Sequence, residues 1–120
     1  MKKIVLVVDD EPLNIRILAE ILSPQYRVLV AKSGSQALDR VKAQPDISAI
    51  LLDVMMPEMS GFEVCETLKQ NPDTAHISVI FVSAMSQEED RTKGMSVGGH
   101  GFVLKPIQPP QLFSMLEDVL

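Results

Sequence analysis

Five polar residues stand out because each follows directly on an apolar run. Asp9 and Asp10 follow Ile4–Val8, Asp53 follows the run at 47–52, Ser83 follows 77–82, and Lys105 follows Gly101–Leu104. If those runs are neighbouring strands, all five side chains arrive at one rim. Three carboxylates brought together repel, and each costs free energy unless positive charge sits among them. A hard divalent cation answers that need. Mg²⁺ takes oxygen ligands, keeps several waters and tolerates one or two carboxylates. Lys105 adds a point charge with three donors. A metal, an ammonium and a hydroxyl around one carboxylate suit phosphoryl transfer, which needs positioning and neutralised oxygens more than covalent chemistry from the protein. A carboxylate serves as nucleophile by forming an acyl phosphate.

The elements that would position these groups are legible. The run Ile4–Val8 is apolar and largely β-branched, as in a strand covered on both faces. Pro12 suits the first turn of a helix, with Leu13, Ile17, Leu18, Ile21 and Leu22 as its apolar stripe, ending at Ser23-Pro24. Residues 26–31 read as a second strand. Ser33 is an N-cap for a helix carrying Ala37, Leu38 and Val41. The third strand, 47–52, runs into Asp53. Phe62, Cys65 and Leu68 mark a helix that Asn71-Pro72 stops. The fourth strand is 77–82, and 87–97 reads as a helix polar on most faces. A short strand at 101–104 precedes a last helix with Leu112, Phe113, Leu116, Val119 and Leu120 at helical spacing. Five strands alternating with five helices predict an α/β fold with a parallel sheet covered on both faces. The flavodoxin-like, doubly wound order 2-1-3-4-5 puts the switch point between strands one and three, where such sheets hold their sites.

Composition narrows the classes of function. A chain of 120 residues suits one domain, 1–120. The net charge of −5 argues against a general nucleic-acid surface, which needs clustered Lys and Arg. The single Cys65 excludes an internal disulfide and fits a reducing cytoplasm. No apolar run approaches the roughly 20 residues of a membrane span. The apolar N-terminal run is too short for a signal peptide and meets Asp9-Asp10-Glu11 at once.

Each candidate also has a simpler reading when taken alone. The acids before Pro12 complement a helix N-terminus. Ser83 caps the polar helix starting near Ser86. Lys105 is a surface lysine, and Asp53 a loop acid. Their joint placement at four strand ends favours chemistry. His76 and His100 lack metal-site spacing with any partner, and the seven methionines are mostly core filler.

The motifs Val7-Val8-Asp9-Asp10-Glu11, Asp53-Val54-Met55-Met56-Pro57-Glu58-Met59-Ser60-Gly61, Val82-Ser83-Ala84 and Lys105-Pro106 closely resemble the receiver domains of bacterial response regulators. The resemblance runs from residue 4 to 120. It implies that Asp53 is the phosphoacceptor. It implies that Asp10 and Asp53 ligate Mg²⁺ directly, that Asp9 acts mainly through a metal-bound water, and that the Met55 backbone carbonyl completes the protein's share. Ser83 would bond a phosphoryl oxygen, Lys105 would pair with the phosphoryl group, and the Lys105-Pro106 peptide would be cis. Phe102 would be the switch aromatic, turning inward as Ser83 moves to the phosphoryl oxygen. The implied donor is a sensor histidine kinase or phosphotransfer protein. The 87–120 face would read out the state to an output domain or partner, and is a candidate homodimer surface. Catalysis would be self-directed phosphorylation and dephosphorylation, without turnover.

Some features depart from the family pattern. Gly98-Gly99-His100-Gly101 replaces the usual Gly-Ala plus acidic turn, Ile107 stands where Phe is common, and Phe102 lacks a phenolic hydroxyl. Met55 and Met85 are apolar at two positions flanking the acceptor, and are expected to hinder the attacking water. Three rival functions meet obstacles. A phosphatase of the haloacid dehalogenase type needs D-x-D after strand one, whereas Asp9 and Asp10 are adjacent. A flavin module needs a hydroxyl- and Gly-rich phosphate loop where this chain has Asp-Asp-Glu-Pro. A pseudo-receiver would not need the intact acid set.

Overall fold

A computed structural model of the chain describes residues 2–84 and 88–120. Strands and helices alternate in the order β1 (Ile4–Val8), α1 (Pro12–Leu22), β2 (Arg27–Ala31), α2 (Gly34–Ala43), β3 (Ile47–Asp53), α3 (Gly61–Gln70), β4 (Ser78–Ser83), α4 (Glu88–Ser96), β5 (Gly101–Leu104) and α5 (Pro109–Val119). The five strands form one sheet in the order β2-β1-β3-β4-β5, with every neighbouring pair parallel. This is the flavodoxin-like arrangement that the alternating pattern predicts.

Period-two alternation divides each central strand between two cores. Leu6, Ile50, Leu52, Val79 and Phe81 pack under α2 and α3, against Ala37, Val41, Val64, Cys65 and Leu68. Val5, Val7, Leu51, Ile80 and Val82 point to the other face, against Ile15, Leu18, Leu22, Leu112 and Leu116 of α1 and α5. Every residue of β1 and β4 is buried. Burying such a side chain fully contributes about 1.5–3 kcal/mol, so these central strands are the rigid part of the sheet. Their carboxyl ends carry the polar residues.

Local chemistry sets the helix starts. Ser33 accepts from the Gln36 N–H at 3.1 Å, as its sequence position predicts. Ser60 caps α3 in a reciprocal box. Its hydroxyl accepts from Glu63 N–H, and the Glu63 carboxylate accepts from Ser60 N–H. Such a box satisfies two amides that a helix start otherwise leaves unpaired. Pro12 and Pro109 open α1 and α5.

The structure corrects two details of the sequence reading. Ile15, Leu18 and Leu22 are the buried stripe of α1, whereas Leu13 and Ile17 are 64% and 43% exposed. Leu13 and Ile17 form their own i, i+4 row beside that stripe, so helical spacing alone could not separate the two rows. β4 also runs to Ser83, one residue beyond the apolar run, because Ser83 still pairs with Leu104. The expected helix start at 86–87 and the Met85 side chain lie outside the described residues.

Candidate functional site

Register explains the convergence at the rim. Val8 pairs with Leu52, Asp53 with Val82, and Ser83 with Leu104. The next residue of each chain is therefore carried to the same edge. Asp9 and Ser83 are each 1% exposed, and Asp53 is 6% exposed. The Lys105 Nζ lies 3.4 Å from Asp9 Oδ2 and 3.6 Å from Asp53 Oδ1. The Lys105 N–H donates to the Ser83 carbonyl at 2.8 Å, which fixes where the lysine leaves β5. Asp9 also accepts the Glu11 N–H on Oδ1 at 2.9 Å, so its carboxylate is held from both sides.

One carboxylate oxygen from each of Asp9, Asp10 and Asp53 lies within 4.8 Å of the others. Among the described residues, three acids thus face one ammonium. Burial pushes the Asp53 carboxyl up from 3.8 to about 6, with the Asp9 charge adding to the rise; Lys105 pulls it down and Asp10 raises it further. The remaining imbalance is negative, and the donors are all hard oxygens. That donor set fits Mg²⁺ better than metals that prefer thiolate or imidazole.

The other predicted positions lie nearby. Met55 is two residues past Asp53 and is 65% exposed. The Lys105-Pro106 peptide is cis. Phe102 is half-buried on β5, its ring centroid 6.2 Å from that of Phe81, which in turn packs edge-on to Phe62 at 5.2 Å. The Arg91 guanidinium lies 6.0 Å over the Phe102 ring. That distance is the outer limit of a cation–π contact.

Four residues contribute in ways that the motifs alone did not indicate. Gly61 donates its N–H to the Val54 carbonyl at 2.9 Å, and a Cβ there would press into the Asp53 carbonyl oxygen. The loop bearing the acceptor therefore depends on a missing side chain. Ser60 and Glu63 anchor the far end of that loop, and the S-x-x-E spacing was the available signal. Lys69 donates to the carbonyls of Ala75 and Ile77, tying α3 to the loop before β4; nothing in its sequence context marks this.

Residues 5–117 match the family model described as the response regulator receiver domain. The chain belongs to this family. As a receiver domain of a response regulator, it serves phosphorylation-dependent signalling in a two-component system. It is 44% identical to a probable cyclic di-GMP phosphodiesterase of Vibrio cholerae, over 97% of this chain and 26% of that protein. It is 42% identical to the response regulator PleD of Caulobacter vibrioides, over 96% of this chain and 25% of PleD. The chain thus spans about a quarter of the length of these relatives. Among solved structures it resembles the chemotaxis protein CheY4 of Vibrio cholerae, with a TM-score of 0.93 and 27% identity, covering 100% of both chains. No helix among the described residues is long and apolar enough to cross a membrane.

Proposed function

We propose that residues 1–120 form one receiver unit in which Asp53 takes a phosphoryl group from a sensor histidine kinase or phosphotransfer protein. The observation that carries this reading is the meeting of Asp9, Asp10, Asp53 and Lys105 at one rim. An Asp53 carboxylate oxygen attacks phosphorus, the bond to the donor breaks, and an acyl phosphate forms. Lys105 stands between Asp9 and Asp53, where it meets the added negative charge. Ser83, buried at the end of β4, supplies a hydroxyl to a phosphoryl oxygen. Asp10, Asp53 and the Met55 carbonyl would hold Mg²⁺, with Asp9 acting through a water. Bound there, the ion would supply positive charge to neutralise the transferred group. Exposed Leu13 and Ile17 offer a donor protein apolar surface on the helix that follows the two acids.

The phosphoryl state is read at the 87–120 face, where α4 has no apolar stripe and Phe102 is only half-buried. An output domain, a partner or a second copy of the chain binds there. The phosphodiesterase activity named for the Vibrio relative is not assigned to this chain, whose phosphoryl chemistry is stoichiometric. The cytoplasm is the compartment that its buried, unpaired Cys65 suits.

The test is intact mass after incubation with Mg²⁺ and acetyl phosphate. Wild type gains one phosphoryl mass, and neither Asp53→Asn nor metal-free wild type does. Uptake by Asp53→Asn would place the acceptor elsewhere and overturn the assignment. A further expectation concerns lifetime. Replacing Met55 and Met85 together with polar residues shortens the acyl phosphate's half-life about tenfold, equivalent to about 1.4 kcal/mol of barrier. Phosphate loss followed over time checks it, and an unchanged or longer half-life rejects the shielding role.

A further inference from the structure

We propose that His100 closes the β4–β5 edge only while its imidazole is neutral, so that acidification loosens the turn leading into β5. The argument starts from ladder geometry. His100 N–H donates to the Val79 carbonyl at 2.7 Å. In the register that pairs Ile80 with Gly101, a regular parallel ladder would send the Val79 N–H to the carbonyl of Gly99. Just before it, Gly98 has φ +103, a left-handed conformation that turns the chain away from the ladder. The Val79 N–H donates to His100 Nδ1, at 3.2 Å. A side-chain nitrogen thus stands in for the missing strand carbonyl.

That substitution makes the bond conditional. Nδ1 accepts only when it carries no proton, so the neutral ring bears its proton on Nε2. In the imidazolium both nitrogens are donors, and the Val79 N–H would face another N–H. A part-buried amide without an acceptor is disfavoured. His100 keeps an exposed side, so a proton reaches the ring without unfolding.

The surroundings favour the neutral form. Burial lowers the His100 pKa from 6.5, and the Lys69 charge lowers it further. Lys69 comes from α3, and its stem would meet a Cβ at Gly98. From β4 the facing group is the Val79 amide, and from α5 Met115 packs on Gly101. The Cys65 thiol near Lys69 is raised to about 11 by burial, so it stays uncharged through the relevant range. Among the described residues, no carboxylate is found acting on the ring to favour the imidazolium.

The consequence is local. His100 stands two residues before Phe102, so loosening the turn loosens the strand that carries this ring. If the 87–120 face reads out phosphorylation as proposed above, acid acts on that face through His100 in addition to protonating Asp53 over the same range.

The test is an NMR titration of unphosphorylated protein without Mg²⁺, from about pH 7.5 to about pH 5. The result expected is that the Val79 amide resonance shifts with the same midpoint as the His100 ring. Val79 exchange protection, corrected for the intrinsic rate and referred to a β3 amide such as Leu51, should fall about tenfold, as loss of one hydrogen bond implies. His100→Asn keeps an acceptor that cannot titrate, so its Val79 amide should stay still. A wild-type His100 ring that titrates while the Val79 amide does not move overturns the proposal. So does a His100 midpoint at or above 6.5. Neither readout depends on phosphoryl uptake, so this inference and the proposed function can fail separately.

Discussion

Metal-free Asp53→Asn is expected to be more stable than wild type at neutral pH by about 2–3 kcal/mol, and to lose most of the stabilisation that Mg²⁺ gives wild type. The Asp53 carboxyl is raised from 3.8 to about 6, so the folded protein holds its proton more tightly than the unfolded chain. Ionising Asp53 therefore costs stability, progressively, as pH rises from about 4 to about 6. At neutral pH the full cost is present, about 2–3 kcal/mol. Asparagine removes the buried charge and its repulsion from Asp9 and Asp10, at the loss of the contact with Lys105. Below about pH 4 both proteins carry a neutral group there, so their difference should vanish. Urea unfolding at several pH values, with EDTA and with Mg²⁺, checks each part. A variant no more stable than wild type in EDTA at neutral pH would mean that Lys105 already balances the cluster.

Gly61→Ala is expected to cost about 3 kcal/mol or more and to slow phosphoryl uptake. The added Cβ would meet the Asp53 carbonyl oxygen well inside van der Waals contact, and Val54 Cα at 3.0 Å. Both are backbone atoms of the acceptor segment, so no side chain can rotate away. Either α3 recedes, breaking the Gly61 N–H bond to Val54, or the Asp53 backbone shifts away from Lys105. The first outcome lowers the denaturation midpoint, and the second moves the nucleophile. Paired urea unfolding and acetyl phosphate labelling measure both. Wild-type stability together with wild-type labelling would show that the close approach is not maintained in solution.

Much of this molecule is written in short stretches of chain. Strands β1 and β3 are continuous apolar runs, and Ser33 caps its helix as its position predicts, because such preferences act over a few residues. Asp9, Asp10, Asp53, Ser83 and Lys105 were legible as a set because each ends a run, and a parallel sheet must bring those ends to one rim. What sequence could not supply depends on which faces meet. Leu13 and Ile17 occur at helical spacing just as Ile15, Leu18 and Leu22 do, yet only the latter row found the sheet. The upward pKa shift of Asp53 comes from burial and from charges 44 and 43 positions earlier, at Asp9 and Asp10. The closeness of Gly61 to the Asp53 carbonyl, the Arg91 guanidinium over Phe102, and the His100 ring serving as a strand carbonyl are likewise tertiary. Each is a contact between groups whose separation is set by the packed sheet and helices, and no local preference encodes such a distance.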